Sequence, residues 1–247
     1  MPNERLRDAL LRNGLDLDHV AKATGVDPKT VERWITKGRI PYPRHRHAIA
    51  AMVRETENYL WPDAVAPERK AEIGGSEIVK VYPHRHNIPA DLWDRLLDQA
   101  EEHIEILVYA AMFLTDNPTL IKRLRRKAGD GAKIRIMLGD PTSREVARRS
   151  VEEGLAKTAI PAKVGNALTY FRPLDGVSGV EIRCHGTTLY NSIYRFDDEM
   201  LVNTHVYGFA AAHAPLLHLR QLAGGDLFDT YSESFDSVWN AAKPPKW

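Results

Sequence analysis

The stretch Thr188-Leu189-Tyr190-Asn191-Ser192-Ile193-Tyr194-Arg195-Phe196-Asp197-Asp198-Glu199-Met200-Leu201-Val202-Asn203-Thr204-His205-Val206-Tyr207 decides the fold. Two runs rich in β-branched and aromatic residues, Thr188 to Phe196 and Met200 to Tyr207, meet at Asp197-Asp198-Glu199. Such runs joined by a short polar turn predict a strand hairpin. Within it Tyr190, Ser192 and Asp197 are spaced as x-any-x-any(4)-x, and His205 lies in the second strand.

Outward from this hairpin the pattern alternates. Candidate strands cover Ile78 to Tyr82, Ile104 to Phe113, Lys133 to Leu138 and Val180 to Cys184. Candidate helices cover Pro89 to Glu102, Pro118 to Ala128, Ser143 to Leu155, Ala214 to Ala223 and Asp226 to Ala242. That alternation predicts an α/β domain over residues 77–247, with a mostly parallel sheet flanked by helices. Residues 61–76 hold Pro62, Pro67, Gly74 and Gly75 without a sustained period and read as a linker.

The first sixty residues follow a different rule and parse as a small all-α domain. Leu6 and Leu10 share one face of a helix ended by Gly14; Asp16 caps a second helix with Leu17, Val20 and Ala21, closed by Gly25. Asp27 caps a third, with Pro28 in the first turn and Val31, Trp34 and Ile35 inward. A fourth follows the Pro41-Tyr42-Pro43 break and runs to about Tyr59.

Composition excludes several classes. The 247 residues carry 43% apolar and 27% charged residues, ordinary for a globular chain, and no apolar run is long enough to span a bilayer. The opening Met-Pro-Asn-Glu-Arg lacks the apolar core of an export signal, and the single Cys184 forms no internal disulfide or zinc pair, so a reducing cytoplasm is expected. The net charge of +1 hides an asymmetry: between Pro28 and His47 there are Lys29, Arg33, Lys37, Arg39, Arg44 and Arg46 against Glu32 alone. Such a local excess suits phosphate.

Val20-Ala21, Gly25-Val26, Thr30-Val31 and Arg33-Trp34 resemble the helix-turn-helix of the phage-repressor and xenobiotic-response-element type of regulator. The resemblance covers residues 1–60. It implies that the third helix enters the major groove of double-stranded DNA, with Lys29, Thr30 and Arg33 at bases or nearby phosphates. It likewise implies backbone clamps at Lys37 and Arg39, extended by Arg44 and Arg46. Leu17 departs from the pattern, because many members carry a DNA-touching Gln there.

Residues 77–242 resemble one half of a phospholipase D-like enzyme, and Phe235-Asp236-Ser237-Val238-Trp239 looks like that family's closing helix. Its H-x-K-x(4)-D motif stands here as Tyr190, Ser192 and Asp197, a degenerate form in which the acid alone matches. The family's G-S-x-N is replaced by Thr204-His205-Val206-Tyr207. Phosphodiester transfer needs an attacking imidazole, a second imidazole as acid and a fixed cation for the oxyanion. Tyrosine titrates near 10 and serine carries no charge, so no catalytic residue is assigned. His185 with His205 is the remaining imidazole pair. Members bring two motifs together about a twofold axis, which implies a homodimer here.

Polar groups fall at expected strand ends, where open α/β sheets bind ligands. His84, Arg85, His86, Tyr109, Met112, Phe113, Asp140, His185, Tyr190 and His205 are the candidate pocket for a small effector. His84-x-His86 supplies two imidazoles without a third ligand, so no metal or cofactor is expected. The reading that follows is a cytoplasmic, homodimeric regulator of a palindromic operator, with a catalytically silent body that senses a small molecule. Two alternatives stand beside it: a phosphodiesterase with an atypical histidine site targeted to DNA, and a purely structural oligomerisation body.

Overall fold

A computed structural model describes residues 2–62, 64 and 75–247. They fall into two compact units, one running to Ser76 with Leu222–Asp226, the other comprising Glu77–Gln221 with Leu227–Trp247. Of the expected linker, residues 63 and 65–74 lie outside the described residues, while Trp61 is buried in the core of the first unit.

The first unit, the head, contains α1 (Glu4–Arg12), α2 (Leu17–Thr24), α3 (Pro28–Thr36), α4 (Pro43–Val53) and α5 (Glu57–Leu60). Each helix starts where a short polar side chain satisfies an orphan amide or proline removes one. Asn3 accepts from the Leu6 N–H, Asp16 from His19 and Asp27 from Lys29, while α4 begins at Pro43. Leu6, Val20, Val31, Ile49 and Leu60 meet in the core, and Trp34 joins them rather than facing solvent.

The second unit, the body, begins with β1 (Ile78–Tyr82), α6 (Ala90–Gln99), β2 (His103–Leu107), α7 (Met112–Thr115), α8 (Leu120–Gly129) and β3 (Lys133–Gly139). It continues with α9 (Arg144–Glu152), α10 (Ala159–Phe171), β4 (Val180–His185), β5 (Asn191–Phe196), β6 (Glu199–Thr204), β7 (Leu216–Arg220) and α11 (Leu227–Ala241). The strands form one sheet in the order β1-β7-β6-β5-β2-β3-β4.

The sheet is mixed and mostly antiparallel, not mostly parallel. Only β2–β3 and β3–β4 are parallel, joined by helical crossovers through α8 and through α9 with α10. The other four pairings are antiparallel. Antiparallel neighbours need only tight returns, and the two-residue turn between β5 and β6 supplies one. The segment expected as a helix over Ala214 to Ala223 is β7 instead. Its place between β6 and β1 satisfies both backbone edges, which outweighs an ambiguous apolar pattern. The strand expected over Ile104 to Phe113 stops at Leu107, because Ala111 turns the chain into α7 with φ +49°.

Residues 159–171, to which the alternating pattern assigns no element, form α10. Ile160, Val164, Ala167, Leu168 and Phe171 bury a continuous stripe. On the other face, α11 lays Phe235 and Trp239 against cations of the sheet. The Arg135 guanidinium lies 4.8 Å from the Phe235 ring, and that of Arg183 lies 4.2 Å from Trp239. The start of α11 is anchored by Glu77, whose carboxylate accepts the Leu227 and Phe228 amides at 2.9 and 3.2 Å.

Candidate functional site

In the head, α2 and α3 meet at Gly25, whose φ of +69° closes a tight turn that other residues adopt only under strain. Because Val31, Trp34 and Ile35 point inward, the opposite face of α3 presents Lys29 and Arg33, with Thr30 half-buried between faces. Lys37 and Arg39 are exposed just beyond it. Arg44 is exposed and donates to His45 Nε2 at 3.2 Å. Arg46 is placed differently: it pairs with Glu57 at 3.0 Å and donates to the Pro41 carbonyl, so its charge is spent inside the head.

In the body, the three motif positions do not converge. Tyr190 precedes β5 and is 79% exposed. Ser192 is buried near the start of β5, and Asp197 follows its far end. The Asp197 carboxylate accepts three successive amides, those of Glu101, Glu102 and His103, at 2.7, 2.9 and 2.6 Å. It therefore fastens the hairpin turn to the start of β2. Its φ of +52° lies in the left-handed region, which aspartate tolerates better than most residues.

Ser192 instead meets His205. The register of β5 and β6 pairs Asn191 with Thr204 and Ser192 with Asn203, which brings His205 level with the strand start. His205 Nδ1 lies 3.1 Å from the Leu189 carbonyl, an acceptor only, so that nitrogen carries the hydrogen. Nε2 then accepts the Ser192 hydroxyl at 3.0 Å. Burial, reinforced by the positive charges of Arg149 and Arg85, pushes the imidazole down to about 4. It is neutral at physiological pH.

His185 is also spoken for. Its Nε2 donates to the Val108 carbonyl at 3.1 Å and its Nδ1 accepts the Thr187 amide at 3.3 Å. Burial lowers its pKa as well. The Tyr109 ring touches both imidazoles, at 5.7 Å from His185 and 5.6 Å from His205, and its hydroxyl accepts the Leu189 amide.

A cavity of about 210 Å³ brings together five of the ten expected pocket residues: Arg85, Tyr109, Met112, Phe113 and His205. Ser192 lines it too. Sequence reading misses Tyr194 and Lys163 there. Tyr194 is recoverable from the period of two along β5, whereas Lys163 needs helix α10 to be recognised first. Asp140 lines a separate cavity of about 530 Å³ at the ends of β3 and β4, with Thr142, Cys184 and Lys243. Burial, with Asp140 adding to it, raises the Cys184 thiol to about 11, which makes it a poor nucleophile. His84 and His86 stack on each other at 5.2 Å, and their Nδ1 atoms meet the carbonyls of His213 and Ala212 at 2.7 and 2.9 Å. They fasten the turn carrying Arg85 to the loop before β7. Among the described residues, no group of three or more His, Cys, Asp or Glu has the arrangement of a metal site. Nor is any described helix long and apolar enough to cross a membrane.

Fold and site together define a class: a helical head and an α/β body whose mixed sheet holds a serine–histidine pair beside a small cavity. The chain belongs to the DUF5919 family, described as a domain of unknown function, whose sequence model matches residues 75–246 and so covers the body. No curated protein matches the chain. Among solved structures it is similar to TrmBL2, an archaeal chromatin protein reported to show a novel mode of DNA binding. Identity is 14%, the TM-score 0.44, and the match covers 74% of this chain and 57% of TrmBL2. A second similar structure is Nuc, a phospholipase D family member from Salmonella typhimurium. There identity is 14%, the TM-score 0.40, and coverage 68% of this chain and 97% of Nuc. The chain thus spans less than two thirds of the length of TrmBL2.

Proposed function

We propose that this protein is a DNA-binding transcriptional regulator whose body dimerises, holds a small ligand and does not cleave phosphodiesters. The observation that carries the proposal is the outward face of α3, where Lys29 and Arg33 stand exposed beside Lys37 and Arg39 while the apolar stripe is buried. A cationic helix face of this kind fits a major groove. The resemblance to helix-turn-helix regulators supports the same reading.

For the body, the chemistry supports a binding role. Phosphodiester transfer needs one imidazole as nucleophile and another protonated as acid. His205 titrates at about 4 and His185 is also lowered, so neither supplies an acid at neutral pH. The lysine position of the motif holds Ser192, whose hydroxyl is committed to His205. A homodimer through the body would present two heads to a palindromic operator, with half-sites about one helical turn apart.

The test of the DNA arm is a mobility-shift titration of genomic operator fragments with wild type and Arg33→Ala. Weaker binding by the variant supports the reading, and equal binding removes it. Incubation with generic phosphodiester substrates tests the body. Turnover abolished by His185→Ala or His205→Ala would establish the rival enzyme.

A further inference from the structure

We infer that the cavity beside Ser192 is a receptor for a small organic oxyanion with a compact apolar body, gripped by Arg85 and Lys163. The inference rests on the ligand-holding reading above and names the chemistry of that ligand.

The charges of the lining do not balance. Arg85 reaches the cavity from the turn after β1 and Lys163 from α10. Among the described residues neither cation is paired with a carboxylate. The carboxylate on the lining, Glu153, is already taken by Arg149, whose Nε lies 2.8 Å away with both side chains largely buried. An excess of positive charge therefore faces the cavity. Arg85, half-buried and without a carboxylate partner among the described residues, is unfavourable as it stands, and an entering anion relieves it, with exposed Lys163 adding its charge at the rim.

The geometry also prepares the grip. The Arg85 guanidinium lies 4.0 Å from the centre of the Phe113 ring. Stacking fixes its plane while leaving in-plane N–H groups to form the paired hydrogen bonds that suit carboxylate and phosphate. Tyr194, buried on β5, shares the lining with Arg85 and Ser192. The same positive field is felt at His205, where Arg85 and Arg149 reinforce the effect of burial. Neither cation occupies a position of the hairpin motif.

Size and walls limit the rest of the ligand. The cavity is about 210 Å³, below the ~300–1,000 Å³ typical of ligand pockets, so the molecule is compact. Val108, Ala111, Phe113 and Ile160 supply apolar wall. Carboxylate and phosphate headgroups satisfy the same cations, and the two are separated by experiment.

The full-length protein is titrated with sodium benzoate, phenyl phosphate and neutral benzamide, followed by calorimetry and thermal shift, with operator binding measured in parallel. At least one anion binds, benzamide binds at least about tenfold more weakly, and Arg85→Gln and Lys163→Gln each cost the anion about tenfold. Preference for benzoate or phenyl phosphate assigns the headgroup. Lys163→Gln is an exposed change that leaves the fold intact, so its effect stands if Arg85→Gln proves unstable. Equal affinity for benzamide, unchanged anion affinity in both variants, or no anion binding at millimolar concentration overturns the inference. Benzamide binding as well as the anions would still leave the ligand-holding reading in place. Anion binding that leaves operator affinity unchanged keeps the inference and removes effector sensing.

Discussion

Ser192 gives its hydroxyl hydrogen to Nε2 of His205 across 3.0 Å, and His205 can accept it only while neutral. The Leu189 carbonyl at the other ring nitrogen fixes that tautomer. Protonating His205 would reverse that bond, with Nε2 donating to the Ser192 oxygen, and would place a cation near Arg149 and Arg85.

Stability should therefore fall with acid. Burial, helped by Arg149, holds the folded imidazole at about 4, whereas the unfolded one titrates near ~6.5. Between those values the unfolded chain binds a proton that the folded chain refuses, so stability is complete above about pH 6.5 and declines toward about pH 4. The expected loss at about pH 5 is up to about 2 kcal/mol. His185 shifts in the same direction and adds to it. Urea unfolding across this range measures the slope. His205→Gln, which keeps an acceptor and a donor, should flatten it, and an undiminished slope would assign the effect elsewhere.

Asp197→Ala should destabilise the body by about 2–4 kcal/mol, since three amides lose a charged acceptor and alanine resists the left-handed backbone. Asp197→Asn keeps an acceptor and tolerates the backbone, so it should cost clearly less. Thermal unfolding of the two variants gives the comparison. Equal losses would mean that charge, not acceptor geometry, does the fastening.

Arg46 and Arg33 should separate stability from recognition. Arg46→Ala removes the pair with Glu57 and the bond to the Pro41 carbonyl, and is expected to cost the head about 1–3 kcal/mol while leaving the salt dependence of DNA binding unchanged. Arg33→Ala, on an exposed face, should leave stability within about 0.5 kcal/mol and weaken binding by about 1–3 kcal/mol. Reversed outcomes would move the DNA contact to α4.

Glu105→Ala should be the most damaging of these changes. Glu105 is buried on β2 and faces Arg195 of β5 and Arg135 of β3 on the same side of the sheet. Its removal strands two guanidinium groups, at an expected cost of about 3–5 kcal/mol by chemical unfolding. A loss under about 1 kcal/mol would show that Asp236, at 2.8 Å from Arg135, carries the pairing instead.

Local signals made much of this fold legible. The Gly25 turn, the Asp16 and Asp27 caps and the hairpin at Asp197-Asp198 are written in residues that act on their own neighbours. Sheet direction was not legible in that way. Whether β5 runs against β2 depends on a pairing between residues ninety positions apart, and alternation of strands with helices favours the parallel answer. The run Leu216 to Arg220 fits a helix or a strand until its neighbours on both edges are known. At the site, spacing drew attention to Tyr190, which faces solvent, while Tyr194 and Lys163 entered only through tertiary packing.

The three amides held by Asp197 bear on how sequences of this kind are sorted. A scan that scores the hairpin motif letter by letter credits the aspartate to cleavage, yet here it is fully employed in docking one turn onto the next strand. Any chain that builds this corner has reason to keep the acid, whether or not it ever breaks a bond. Its presence is a marker of architecture, and a census of enzymes drawn up from it would be counting corners rather than cleavage sites.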